Sequence, residues 1–237
     1  MTSFAVIVPF RDRGTDVLRG ANLKRVLDHW SRYDVPVVVA DDGRTGKAHF
    51  NRSAAYNKGT AQTNTDVLVY SESDMLIPFS QIREAVQLAA EWSSLIVPFG
   101  TQKKLSHADS ILVRARQKDP ANCEPVEYNT SNYGCVNVIH RDTIKAVGKW
   151  DETFEGNAHD DAAMWRAFDI VGGPTGFVSG PAYHLYHRES RDPADKTVTE
   201  RNYRRMQLYM QAATPEEIRH LTGGGQSLGR DWRGKLR

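Results

Sequence analysis

Asp66-Val67-Leu68-Val69-Tyr70-Ser71-Glu72-Ser73-Asp74-Met75-Leu76-Ile77-Pro78 is the stretch that decides the fold. Its first half is an unbroken apolar run, the pattern of a strand covered on both faces. The run stops at two carboxylates one residue apart, and Pro78 closes the element. In an extended chain residues i and i+2 share a side, so Glu72 and Asp74 are expected to project together. Open α/β sheets bind ligands at the carboxyl ends of their strands. Two oxygen donors at such an edge suit a hard divalent cation, Mg²⁺ or Mn²⁺, and that cation suits a diphosphate.

The same pattern recurs outward from this segment. Residues 4–10, 35–40 and 95–99 read as further buried strands, with 17–30, 51–63 and 82–92 as the helices between them. Their β-α-β-α-β-α-β order predicts an α/β fold, a mostly parallel sheet flanked by helices. The second half is less regular. Residues 103–132 read as a long polar loop with a short helix near 110–117. Strands over 133–140 and 177–186 and helices over 141–147 and 160–171 follow. From Arg188 the chain turns basic and helical and ends in a Gly/Arg-rich tail, expected to be mobile.

Composition narrows the class. The 237 residues are 40% hydrophobic and 25% charged, with a net charge of +2, as in an ordinary globular protein. Cys123 and Cys135 are too few for a disulfide framework and lack zinc-site spacing. The apolar run at 4–10 is too short for a signal peptide or a membrane span. These features predict a cytoplasmic protein with no transmembrane segment. Arg188 to Arg237 carries 11 Lys/Arg against 7 Asp/Glu, a local excess of +4 that points to an anionic partner such as DNA.

Five segments, in order, carry a resemblance. They are Val8-Pro9-Phe10-Arg11-Asp12-Arg13, Val38-Val39-Ala40-Asp41-Asp42-Gly43, Asn51 to Gly59 with Arg52 and Asn57 inside it, Ser71-Glu72-Ser73-Asp74, and Gly148 to Phe154 followed by Gly156-Asn157-Ala158-His159-Asp160-Asp161. The set resembles the GT-A (Rossmann-like) glycosyltransferases, nearest the inverting family-2 and β-1,4-galactosyltransferase types. The likeness covers about residues 4–192. It implies one glycosyltransferase domain over 1–190, with a nucleotide-binding half (1–100) and an acceptor half (101–190). A short basic helical extension and tail occupy 191–237.

The resemblance implies a metal-dependent inverting transfer of a sugar from a nucleoside-diphosphate sugar, a UDP-sugar by preference. Pro9, Arg11, Arg13, Asp41, Asp42, Arg52, Asn57 and Ser73 are the expected nucleotide-side residues. A guanidinium fork suits phosphate oxygens, and an ionised carboxylate accepts from a base or ribose. Asp74 and Glu72 are the expected metal ligands, joined by His184 first and His187 second, with Asp74 the better match to the family's Asp-x-Asp. An imidazole favours Mn²⁺ over Mg²⁺. On a strand, residues three apart point to opposite sides, so the two histidines need not act together. Asp160 is the expected base, deprotonating the acceptor hydroxyl. Trp150, His159 and Asp161 are expected on the acceptor, while Arg188 and Arg191 would steady the departing diphosphate. Glu72 and His159 depart from the family's usual Asp and Glu. The acceptor is DNA, a glycan or a protein on this reading. A nucleotidyltransferase and a noncatalytic nucleotide-binding module of the same fold are the alternatives.

Overall fold

The computed structural model describes residues 2–14, 16–46, 48–130, 134–156, 158–188 and 196–223. Arg191, Asn157, the start of the predicted strand at Tyr133 and the Gly/Arg-rich tail lie outside them. Within them the order is β1 (Phe4–Pro9), α1 (Val17–Trp30), β2 (Val37–Ala40), α2 (Arg52–Ala61), β3 (Val67–Ser71), β4 (Met75–Leu76), α3 (Phe79–Glu91), β5 (Ile96–Val97), β6 (Thr101–Lys104) and α4 (His107–Arg114). Then come β7 (Glu127–Asn129), β8 (Val136–His140), α5 (Arg141–Val147), α6 (Asp160–Gly172), β9 (Gly176–Phe177), β10 (Pro181–His184), α7 (Lys196–Gln211) and α8 (Pro215–Thr222).

The main sheet runs β2-β1-β3-β8-β5-β9. β1 pairs parallel with β2 and β3, and β5 with β9, while β8 runs antiparallel between β3 and β5. Reversal of β8 has a functional consequence: its N-terminal end shares an edge with the C-terminal ends of β1 and β3. β1 and β3 are buried along nearly their whole length, as their two-sided apolar runs require. α2 lies close on β1 because Gly59 has no side chain. A Cβ there would collide with Ile7 and stand 3.3 Å from the Ala40 Cβ.

A second sheet, β4-β10-β6-β7, folds over the C-terminal edge of the first. It corrects two expectations. The polar stretch read as loop contains β6 and β7, whose Thr-Gln-Lys-Lys and Glu-Tyr-Asn sequences carry no apolar alternation, because this small sheet is partly open to solvent. The predicted strand over 177–186 is two strands, broken at Gly180, whose φ of 125° no side-chain-bearing residue adopts readily.

The C-terminal helices pack on the same core. Met206, Tyr209, Ile218 and Leu221 join the buried cluster that includes Phe154, Met164 and Phe168. Asp151, 1% exposed, pins them by accepting from Arg205 Nε at 2.7 Å and Tyr209 Oη at 2.8 Å. Among the described residues no helix is long and apolar enough to cross a membrane.

Candidate active site

A cleft of about 1330 Å³ opens along the shared strand edge. Pro9, Arg11 and Arg13 line it from the end of β1, Glu72, Ser73 and Asp74 from the end of β3, and Cys135 from the start of β8. His184 and His187 line it after β10, and His159 and Asp161 at the start of α6.

β3 ends at Ser71, and Glu72 to Met75 form a turn closed by the Met75 N–H on the Glu72 carbonyl at 3.3 Å. The two-residue alternation of a strand therefore does not hold there, and the two carboxylates find different partners. Asp74 is buried against both imidazoles: its Oδ2 lies 3.2 Å from His187 Nε2 and its Oδ1 3.8 Å from His184 Nε2. One ligand atom from each of Asp74, His184 and His187 falls within 4.8 Å of the others. Both histidines face Asp74, because β10 stops at His184 and strand alternation does not carry on to His187.

The charges of this trio suit a metal. Burial alone would raise the Asp74 carboxyl, but the two imidazoles outweigh it and bring it down to about 2. Burial lowers the His184 pKa, which keeps that ring neutral and free to ligate. At His187 burial is outweighed by Asp74, and the pKa rises. Its Nδ1 lies 2.7 Å from the Arg188 carbonyl and 3.1 Å from Arg19 Nη2, contacts that fix the ring. Asp74 Oδ1 is buried with no hydrogen-bond partner among the described residues, an atom that a cation would satisfy.

Glu72 lies outside that trio and pairs with Arg52. Arg52, at the start of α2, also donates to Asp160 and Asp161. One guanidinium thus gathers three carboxylates from two distant segments. Burial raises the Glu72 carboxyl to about 7 despite Arg52, with Asp74, Asp161 and Asp160 adding to the rise.

The acidic pair at α6 divides its work. Asp160 is 7% exposed, and its Oδ2 accepts from Arg52 Nε at 3.1 Å and Nη2 at 2.6 Å. Asp161, with its side chain 43% exposed, is the member that lines the cleft. Burial and the neighbouring Asp160 charge raise its pKa against the pull of Arg52. Ala158 (φ 92°) and His159 (φ 72°), just before the pair, are both left-handed, each at a cost of about 1–3 kcal/mol.

Several expected contacts lie elsewhere. Asp42 is fully buried; it pairs with Arg11 Nε at 3.0 Å and accepts from the Asn51 N–H at 2.8 Å. Arg11 also donates to the Ala48 carbonyl at 2.6 Å, so the pair builds the 42–51 loop. Asp41 faces Lys58 at 2.9 Å, off the cleft lining. Asn57 is bound to both backbone groups of Trp150, at 2.9 and 3.0 Å. Trp150 itself is 4% exposed among Tyr56, Tyr70 and Phe168, which makes it a core residue that does not reach the cleft. Arg188 stands beside the cleft, its N–H donating to Asp16 Oδ2 at 2.8 Å.

Four contributors escaped the sequence reading. Arg19 and Lys104 line the cleft near the trio, and Tyr203 lines it with its ring 5.4 Å from that of His159. Gly134 lies under Asp161, where a Cβ would collide with the carboxylate. Helical periodicity marks Arg19 and Tyr203 only as exposed positions, and nothing in sequence marks Gly134 as facing Asp161.

No protein-family model matches the chain, and no curated protein matches it by sequence. Solved structures do match by fold. The chain is similar to GalNAc-T7 with UDP, GalNAc and Mn²⁺, at a TM-score of 0.55 and 14% identity, over 100% of this chain and 57% of that one. It is similar to glucosyl-3-phosphoglycerate synthase from Mycobacterium tuberculosis with Mn²⁺ and UDP-glucose, at 0.53 and 15%, over 87% of this chain and 78% of that one. The same synthase with Mg²⁺ and UDP gives 0.51 and 12%, over 88% and 78%. The fold is the GT-A fold of glycosyltransferases.

Proposed function

We propose that this GT-A-fold chain is a divalent-metal-dependent glycosyltransferase, moving a sugar from a nucleoside-diphosphate sugar to an acceptor hydroxyl. The observation that carries the reading is the Asp74–His184–His187 trio, which shares one cleft with the Asp161 carboxylate. The donor set fits a cation: one ionised carboxylate with a buried, unpartnered oxygen and two imidazoles held in place. Two nitrogens favour Mn²⁺ over Mg²⁺. When bound there, the cation would offset the charge building on the leaving diphosphate. UDP is the favoured nucleotide, since the similar structures hold UDP or UDP-glucose.

The chain's own residues would do the rest. Arg13 and Arg19 supply guanidinium donors on the cleft wall for phosphate oxygens. Asp161 takes the proton of the acceptor hydroxyl as its oxygen attacks the anomeric carbon. The raised pKa makes it a stronger base than a free aspartate. Asp160, expected in that role, is buried off the cleft lining with one oxygen held by two nitrogens of Arg52, and on this reading it orients the pair. A single displacement of the diphosphate by the acceptor oxygen, attacking from the opposite face beside the base, gives inversion with no covalent intermediate. A DNA acceptor gains no support, because Glu127, Glu200 and Asp161 interrupt the basic residues of the cleft.

Calorimetric titration with UDP, in Mn²⁺ and in EDTA, tests the reading. UDP should bind measurably tighter with Mn²⁺, and a screen of nucleotide sugars should show slow donor hydrolysis. Metal-independent or absent binding of every nucleoside diphosphate would sink it.

A further inference from the structure

We propose that Asn202 of α7 is a positioning residue, whose side-chain amide holds the Glu155 and Ala158 carbonyls and with them the left-handed entry to α6 that aims Asp161 into the cleft. Its catalytic consequence rests on the glycosyl-transfer reading above. Its structural part does not.

Asn202 is 1% exposed. Its Nδ2 donates to the Glu155 carbonyl at 2.8 Å and the Ala158 carbonyl at 3.2 Å. Its Oδ1 is buried and has no hydrogen-bond partner among the described residues. A leucine of the same branched shape would leave no orphaned acceptor here. What the amide adds is its grip on two carbonyls.

Those carbonyls bracket a backbone that does not hold itself. Gly156 (φ 70°), Ala158 (φ 92°) and His159 (φ 72°) are all left-handed, and only the first is a glycine. His159 is also the N-cap of α6. An N-cap is ordinarily extended, with a side-chain oxygen accepting from the first turn. This one is left-handed and makes no such bond. The start of α6 is therefore held from outside. Arg44 and Arg201 hold Glu155, and the Phe50 carbonyl accepts from the Gly156 N–H at 2.9 Å, but these act before the strained pair. Asn202 reaches the strained pair itself, at the Ala158 carbonyl. If residues 158 and 159 relaxed to right-handed angles, the entry into α6 would turn. Asp160 would leave Arg52, and Asp161 would leave the cleft wall. The Asp151–Arg205–Tyr209 pin lies further along α7 and does not touch this turn, so fold stability and carboxylate placement are separable on one helix.

Asn202→Leu removes the donor and keeps the branched shape, and Asn202→Ser keeps one donor at shorter reach. Three quantities are read: hydrogen–deuterium exchange over residues 156–162, kcat for donor-sugar turnover, and Mn²⁺-dependent UDP affinity. Asn202→Leu should speed exchange in this turn while leaving the β1–β3 core protected. It should lower kcat by about 100-fold, the effect of a displacement near 1 Å, with UDP affinity within about threefold. Asn202→Ser should fall between it and the parent. Unchanged exchange overturns the proposal, as does faster exchange with full turnover. If the parent turns over no nucleotide sugar, the glycosyl-transfer reading fails and the exchange alone decides the role of Asn202. Should Asn202→Leu not fold, Asn202→Ser is judged by the same criteria.

Discussion

Arg52 grips a single oxygen of Asp160 with two nitrogens, Nε at 3.1 Å and Nη2 at 2.6 Å. Its other contacts, to Glu72 and Asp161, complete a cation ringed by three carboxylates with its own side chain 13% exposed. The arrangement joins the end of β3 to the start of α6 across the floor of the cleft. It also explains the division of the acidic pair, since the carboxylate bound on Arg52 from two nitrogens is withdrawn from solvent.

Removal of that cation leaves three acidic groups crowded in a largely dehydrated place. Arg52→Met should destabilise the fold by about 3–5 kcal/mol at neutral pH, the usual result of breaking a buried ionic cluster from one side. The loss should shrink towards pH 4, as the carboxylates take up protons in place of the missing charge. Urea unfolding at both pH values measures this. A loss under about 1 kcal/mol at neutral pH would mean that Arg52 is not the hub the geometry makes it.

The metal trio gives a prediction that separates Asp74 from Glu72. Asp74→Ala, His184→Ala and His187→Ala each remove a donor atom from the trio and should abolish Mn²⁺-dependent UDP binding. Glu72→Gln leaves the trio intact and should lower Mn²⁺ affinity by at most about 10–100-fold, the scale of an outer residue. Mn²⁺ titration followed by electron paramagnetic resonance measures both. Equal losses for Glu72→Gln and Asp74→Ala would restore Glu72 as a direct ligand.

The sheet was legible in the sequence where burial on both faces leaves a continuous apolar run, as in 4–10 and 66–70. The small second sheet was not, because Thr101 to Lys104 and Glu127 to Asn129 are polar and its pairings are set by tertiary context. In the site, the family-like motifs marked Asp74, Arg52 and the acidic pair, but the roles within each motif came from geometry. Strand alternation failed for Glu72 and Asp74 because the chain turns there. Asp41, Asp42 and Arg11 were marked by their place at strand ends, yet the latter two are used to fold a loop. Gly134 left no trace in sequence, since its purpose is to be absent from the space Asp161 fills.

Gly134→Ala tests that space directly. Its new Cβ would collide with the end of the Asp161 side chain, which can swing away, so the fold should keep its stability within about 1 kcal/mol. The carboxylate cannot stay where it is. Donor-sugar turnover should fall towards that of Asp161→Asn, itself down by the 10²–10⁴-fold typical of a lost general base. Asp160→Asn should cost less than Asp161→Asn. If Gly134→Ala turns over donor at the parent rate, Asp161 is not the base.

His29 and Glu72 should oppose each other in the pH dependence of the metal-free protein. His29 of α1 is buried, and its Nε2–H donates to the Ile77 carbonyl at 2.9 Å. Burial and the nearby Arg32 lower its pKa to about 4 from an ordinary 6.5. The unfolded chain therefore binds the extra proton between pH 6.5 and 4, and stability falls as pH drops through that window. Glu72 has the reverse sign. With its carboxyl raised to about 7 from 4.5, the folded state holds the proton, and stability falls as pH rises from 4.5 to 7. Each term is worth up to about 3 kcal/mol, so the parent should be nearly flat between pH 4.5 and 6.5. His29→Gln should expose the Glu72 slope and grow less stable with rising pH. Glu72→Gln should expose the His29 slope and grow more stable. Urea midpoints across this range test both signs, and parallel curves for the parent and both variants would show that neither group titrates as its surroundings dictate.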